Sequence, residues 1–247
     1  MTDFLNQFET WLTNNHSRFG DGIPHPDKIG SIVKAVTHYF NTTPIRYIGS
    51  GDNGIAFQSD DGNVIKFTLD EREALLWTRL KNKNQPGIAQ LKDIANLTSS
   101  KTGNSLVYVI KAEFAPTSIT QQQSKLIRSA LENARQSTLK DLEKLQEKRT
   151  PELHKKRRTI NLIREFQKVA DQDPTFINIP DMIMDIADKY GAYIYDLQPD
   201  NFKINTHGEA IIIDPSIPDI IGEITRPEEL LYEDRLELAL SCYRLFY

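Results

Sequence analysis

Apolar residues recur along this chain at two spacings, and the change of spacing divides it. Phe4, Leu5, Phe8, Trp11 and Leu12 fall on one face of a helix over 3–14. Ile29, Ile32, Val33, Val36 and Phe40 make a second stripe, which predicts a helix from Asp27 to Phe40 with Asp27 as its cap. Between the two lie Gly20, Gly22, Pro24 and Pro26, which read as a loop. From Ile45 the character changes to short β-prone runs at 45–49, 54–58, 63–68 and 105–111, each bounded by Gly, Asn or Asp. A helix over 70–83 interrupts them. Residues 118–170 return to helical spacing, as two or three amphipathic helices broken near Thr150-Pro151. A helix over Pro180–Lys189 follows, then β-prone runs at 202–205 and 210–213 around a His207-Gly208 turn. A capping box beginning at Thr225 opens the last predicted helix. The expected fold is α+β: an antiparallel sheet with one helix, then a mainly helical region. The expected division is a helical extension at 1–44, a sheet-containing lobe at 45–113 and a helical lobe at 114–247.

The 247 residues can bury a sizeable core, and the 39% hydrophobic and 26% charged content is ordinary for a globular domain. A net charge of −4 gives no overall attraction to nucleic acid or an anionic membrane, so neither is an expected partner. The single cysteine, Cys242, rules out an internal disulfide and a thiolate metal cluster. No apolar run reaches the length of a membrane span. The opening MTDFLNQFETWL lacks a basic n-region, so the expected location is cytoplasmic; export without a cleaved signal would leave no trace. Charge is uneven along the chain. Residues 138–170 carry ten Lys/Arg against five Asp/Glu, including the run Lys155-Lys156-Arg157-Arg158, which reads as a solvated helix face.

Candidate chemistry begins at Tyr47-Ile-Gly-Ser-Gly-Asp-Asn-Gly-Ile-Ala-Phe57, where Gly49, Gly51 and Gly54 fit G-x-G-x-x-G. In a dinucleotide fold these glycines would open a helix. Here Gly54 leads into Ile55-Ala56-Phe57, an Asp60-Asp61-Gly62-Asn63 turn, and Val64-Ile65-Lys66-Phe67, which is strand, turn, strand. A lysine so placed needs an acid to hold it extended. The next helix offers Glu73, with Glu71 on another face. Further on, Tyr195-Asp196-Leu197-Gln198-Pro199-Asp200-Asn201 precedes a hairpin and Ala210-Ile-Ile-Ile-Asp214, an apolar strand ending in an acid.

This ordered series resembles the protein-kinase-like superfamily from about residue 45 to 216, interrupted by 118–170. Gln85-Pro86-Gly87-Ile88 looks like the His-Pro-Asn-Ile segment of that family, and Leu106–Glu113 like its last small-lobe strand and hinge. The resemblance implies a two-lobed fold that binds ATP with Mg²⁺, or Mn²⁺. It implies that the Gly49, Gly51 and Gly54 backbone covers the phosphates and Lys66 neutralises them, paired with Glu73. Hinge backbone at Lys111, Ala112 and Glu113 would meet the adenine. Asp196 would act as base toward a hydroxyl, and Asn201 and Asp214 would ligate the metal.

Three departures stand out. Gln198 replaces the usual lysine of Ser/Thr protein kinases, Tyr195 the arginine before the catalytic acid, and Pro215-Ser216 the Phe-Gly after the metal acid. Only 33 residues follow Asp214 and no Ala-Pro-Glu motif is present among them, so the expected large lobe is minimal or rebuilt. The expected activity is γ-phosphate transfer to a protein Ser/Thr hydroxyl. The alternatives are a small-molecule kinase of the aminoglycoside or choline type, a pseudokinase scaffold presenting helices 118–170 to a protein partner, and transfer of AMP.

Overall fold

The structure is a computed structural model and describes residues 2–14, 29–51, 54–81, 83–98, 105–144, 150–191, 193–194 and 197–215. It is an α+β chain made of two compact units. One comprises Met1–Asn84 with Gln90–Phe114, the other Gln85–Ala89 with Ala115–Tyr247.

The first unit is built on a five-stranded antiparallel sheet of order β1-β2-β3-β5-β4. Its strands are β1 (Pro44–Ser50), β2 (Gly54–Ser59), β3 (Val64–Thr68), β4 (Leu91–Thr98) and β5 (Ser105–Ala112). Alternation along the strands gives the sheet two different faces. Ile55, Phe57, Ile65, Phe67 and Val109 point to one face. There they form a core with Phe8 and Trp11 of α1 (Thr2–Asn14) and Val33, Val36 and Phe40 of α2 (Ile29–Phe40). Phe8 lies at the centre, its ring 4.5 Å from Phe67 and 6.0 Å from Trp11. The first two helices therefore belong to the sheet unit and cover one side of it. On the opposite face Lys66 and Thr68 meet α3 (Glu71–Leu80), which buries Ala74, Leu76, Trp77 and Leu80.

Strand β4 has no counterpart among the β-prone runs of the sequence. It lies at the sheet edge, and a bulge between Leu91 and Asp93 breaks its period-2 pattern. Lys92 and Asp93 suit an edge, where charge discourages further pairing. Asn41 ends α2 with a left-handed φ of 50°, as asparagine tolerates beyond a helix C-terminus. The cap expected at Asp27 and the final helix from Thr225 lie outside the described residues.

The turn from β2 to β3 is fixed by a charged pair. Asp61 sits 2.5 Å from Lys111 Nζ and accepts from Ser59 Oγ and the Asn63 amide. Burial works to raise its pKa, but the hydrogen bonds from Lys111, Ser59 and Asn63 outweigh it and hold the carboxyl well below the ordinary 3.8. Stability from a depressed carboxyl is present above its unfolded value and lost as pH falls through the folded one. Asp61→Asn should therefore cost roughly 1 kcal/mol at neutral pH, the size expected of a partly exposed pair. The gap between wild type and variant in urea unfolding should begin to narrow as pH drops below about 4 and go on narrowing as pH falls toward the folded-state value. A gap unchanged between pH 7 and pH 2.5 would show that the charge is not the cause.

The second unit is largely helical. Helices α4 (Gln121–Lys144) and α5 (Pro151–Gln172) run antiparallel, and α6 (Ile179–Tyr190) packs against α5. The break between α4 and α5 falls at Thr150-Pro151. Thr150 Oγ1 caps α5 by accepting from the Leu153 amide at 3.2 Å, and Pro151 takes the first turn, where no N–H is needed. Asn161 of α5, 1% exposed, donates to Thr138 Oγ1 and Asp141 of α4, so the hairpin carries a satisfied polar contact within its core. A small sheet of β6 (Thr117–Ser118), β7 (Phe202–Ile204) and β8 (Ala210–Ile212) completes the unit. Among the described residues no helix is long and apolar enough to cross a membrane.

Candidate functional site

Each unit carries its own part of the predicted site. In the first, Gly49 and Gly51 belong to the end of β1 and its turn, and Gly54 opens β2. The turn closes with the Gly51 amide donating to the Gly54 carbonyl at 2.8 Å. From outside the sheet, Trp11 Nε1 donates to the Gly51 carbonyl at 3.2 Å, so α1 holds the hairpin by its backbone. A Cβ on Gly54 would lie 2.8 Å from the Phe67 carbonyl oxygen and 2.9 Å from Lys66 Cε. The glycine is needed there because the backbone carbonyl of Phe67 on the paired strand already occupies that space, with the lysine stem beside it.

Glu73 holds Lys66. Its Nζ donates to Glu73 Oε1 at 2.7 Å, with the side chains 15% and 3% exposed. Glu73 also accepts from Trp77 Nε1 at 3.2 Å and from Thr68 Oγ1 at 2.9 Å. Three donors converge on one buried carboxylate, which satisfies it without water. The local sequence builds this. Thr68 is two residues past Lys66 and so on the same strand face, while Trp77 is four past Glu73 and so on the same helix face. The Asp70 carboxylate meets the Glu73 amide at 3.4 Å at the start of α3. Thr68 and Trp77 are not among the candidate residues read from the sequence; these two spacings are the signal that finds them. The Glu71 side chain lies outside the described residues.

The segment matched to a hinge is more committed than expected. The Lys111 ammonium is engaged with Asp61 and with the Phe40 carbonyl at 3.2 Å. Lys111 and Ala112 pair in β5 with both β3 and β4. The Glu113 amide donates to the Gln90 carbonyl at 2.9 Å. That amide is already satisfied within the first unit, so it is not offered to an adenine edge.

In the second unit, buried and exposed residues alternate along the loop. Leu197, Pro199 and Phe202 are buried, while Gln198 and Asp200 are exposed and Asn201 is half-buried. Phe202 packs between Phe166 of α5 and Phe176, with ring centroids 5.9 and 6.0 Å away. These anchors fix the positions between them. The β7–β8 hairpin then folds back. Asn205 Oδ1 accepts from the amides of His207 and Glu209, and Gly208 supplies a φ of 80°. As a result the Ile213 amide donates to the Asn201 carbonyl at 2.9 Å, which sets Asp214 one residue from the backbone of Asn201. β8 is steadied from the other side by residues 85–89. The Ile212 amide donates to the Gly87 carbonyl and the Ala89 amide to the Ile212 carbonyl, both at 2.9 Å.

Asp196 and Tyr195 lie outside the described residues. Among the described residues, no cluster of three or more His, Cys, Asp or Glu is gathered to hold a metal ion. Asn201 and Asp214 together offer an amide oxygen and a carboxylate. Hard oxygen donors so few in number suit Mg²⁺ shared with phosphates and water, and do not make a complete protein cage. No protein-family model matches the chain, and no curated protein matches it significantly.

Proposed function

We propose that this chain is a protein-kinase-like phosphotransferase that uses Mg·ATP and delivers the γ-phosphate to a hydroxyl, in the first instance of a protein Ser or Thr. The observation that carries the reading is the buried Lys66–Glu73 pair beside a glycine hairpin. A protein gains little stability from such a pair, since an apolar replacement often does as well. Holding an ammonium in place beside a glycine hairpin is useful when the ligand is a polyphosphate.

In this reading Lys66 binds the α- and β-phosphates, and the Gly51 and Gly54 backbone approaches them without a Cβ in the way. Asn201 and Asp214 hold Mg²⁺, which neutralises charge on the transferring phosphoryl group. Asp196 orients the acceptor hydroxyl and takes its proton as the new O–P bond forms and ADP leaves. The buried Leu197, Pro199 and Phe202 hold residues 197–202 in place before substrate arrives.

Thermal unfolding with and without Mg·ATP, wild type beside Asp214→Asn, tests the reading. At about 100 Kd, ligand adds ~2.7 kcal/mol, a rise of roughly 5–10 °C for a chain of this size. The variant should lose most of that rise. No rise with Mg²⁺ or Mn²⁺ at millimolar nucleotide would leave the chain as a scaffold.

A further inference from the structure

The second unit contains a cavity of about 410 Å³ alongside α4, and its lining is strongly cationic. Arg128 and Arg135 of α4 face it, as do His154 and Arg158 of α5, and Gln198 of the site loop closes on it. The helical spacing explains the grouping. Positions 128, 131, 135 and 139 fall along one side of α4, and 154 and 158 are one turn apart on α5. Among the described residues one acid, Glu132, shares the lining with the guanidinium groups of Arg128, Arg135 and Arg158. It accepts from Gln136 at 2.7 Å and lies 3.5 Å from Arg135. This occurs in a chain whose net charge is −4. Arg135 nonetheless keeps its side chain 69% exposed, and Leu139 is 43% exposed beside it.

We propose that this groove docks an acidic polypeptide segment, and that docking there brings the acceptor hydroxyl to the loop holding Gln198 and Asn201. The second clause rests on the phosphotransfer reading; the binding does not. Arginine suits the task because its planar fork takes a carboxylate with two hydrogen bonds. From Arg128 to Leu139 the α4 side of the groove is about 16 Å long at ~1.5 Å per residue. That accommodates about five residues of extended chain at ~3.3 Å each. Leu131 and Leu139 add apolar surface between the cations, which matches a peptide mixing acidic and apolar side chains better than a uniform phosphate backbone. The site also offers a reason for Gln198. With cations already lining the groove, the loop does not need the lysine found there in the resembling family.

Fluorescence anisotropy with a labelled nonapeptide, Gly-Gly-Glu-Glu-Leu-Glu-Glu-Gly-Gly, tests the proposal in the absence of nucleotide, on the full chain. Wild type should bind it, more weakly as salt rises, and should not bind the counterpart with lysine in place of glutamate. Arg135→Glu and Arg158→Glu should each weaken binding tenfold or more, and the milder Arg128→Gln severalfold. Lys140→Glu, exposed on α4 outside the groove, should leave it unchanged. Unaltered thermal unfolding of each variant separates lost binding from lost fold. Absence of wild-type binding would overturn the proposal, as would equal binding by the arginine variants. Tighter binding of a 12-nucleotide single strand, or displacement of the peptide by millimolar inorganic phosphate, would overturn the choice of a peptide. Because no nucleotide is present, none of these outcomes depends on the Mg·ATP result.

Discussion

Glu73→Ala should lower the stability of the chain by about 3–5 kcal/mol, the cost of leaving a buried charge without its partner. Lys66 Nζ, Trp77 Nε1 and Thr68 Oγ1 all lose their acceptor at once, in a site where the carboxylate is 3% exposed. The thermal midpoint should fall by roughly 10 °C. A double-mutant cycle identifies the cause. Once Glu73 is gone, Lys66→Met removes the ammonium that has lost this carboxylate and should restore part of the loss. Simple additivity of the two substitutions would show that the pair is not coupled. Both single variants should also lose the stabilisation by Mg·ATP. Loss of stability without loss of that ligand effect would separate the pair from the proposed nucleotide site.

Gly87→Val should cost about 4 kcal/mol, from two sources. A φ of 83° is strained for any side chain, worth about 1–3 kcal/mol. A Cβ there would also lie 2.9 Å from the Asn178 carbonyl oxygen and from Met182 Cβ, and overpacking of this kind costs about 1–3 kcal/mol. The damage should reach β8, because the Gly87 carbonyl receives the Ile212 amide. Hydrogen exchange at Ile212 should accelerate along with the fall in denaturant midpoint. Gly62→Val is the control. It has a φ of 80° but nothing within 4 Å of the added Cβ, so it carries the backbone strain alone. Equal losses at the two positions would show that the contact with α6 is immaterial.

What the sequence made legible follows its periodicity. Strands β2 and β3 bury large residues at alternate positions, Ile55 and Phe57 in one and Ile65 and Phe67 in the other, and the helices carry stripes, so both were readable. β4 escaped because a bulge and an edge position removed its alternation. The Lys66–Glu73 pairing was readable because an extended lysine on a strand calls for an acid on the next helix. Thr68 and Trp77 were not identified, although their spacing places them correctly, since a hydroxyl and an indole are common in cores for other reasons. The role of residues 1–44 was beyond the sequence. An amphipathic stripe shows that a helix will be covered, but not by what. The cationic groove was partly visible as a basic excess over 138–170. Which arginines converge became clear only when α4 and α5 were seen to lie antiparallel, and the run at Lys155–Arg158 contributes only its last member to the lining.

The chain has two tryptophans, and each donates its indole N–H to a different part of the proposed nucleotide site. Trp11 reports on the Gly51 carbonyl of the hairpin, and Trp77 on the Glu73 carboxylate behind Lys66. Emission excited selectively at the indoles therefore contains two local signals. With each indole replaced in turn by phenylalanine, the remaining one becomes a label-free probe. Closing of the glycine hairpin and rearrangement around the lysine could then be timed separately in a stopped-flow instrument.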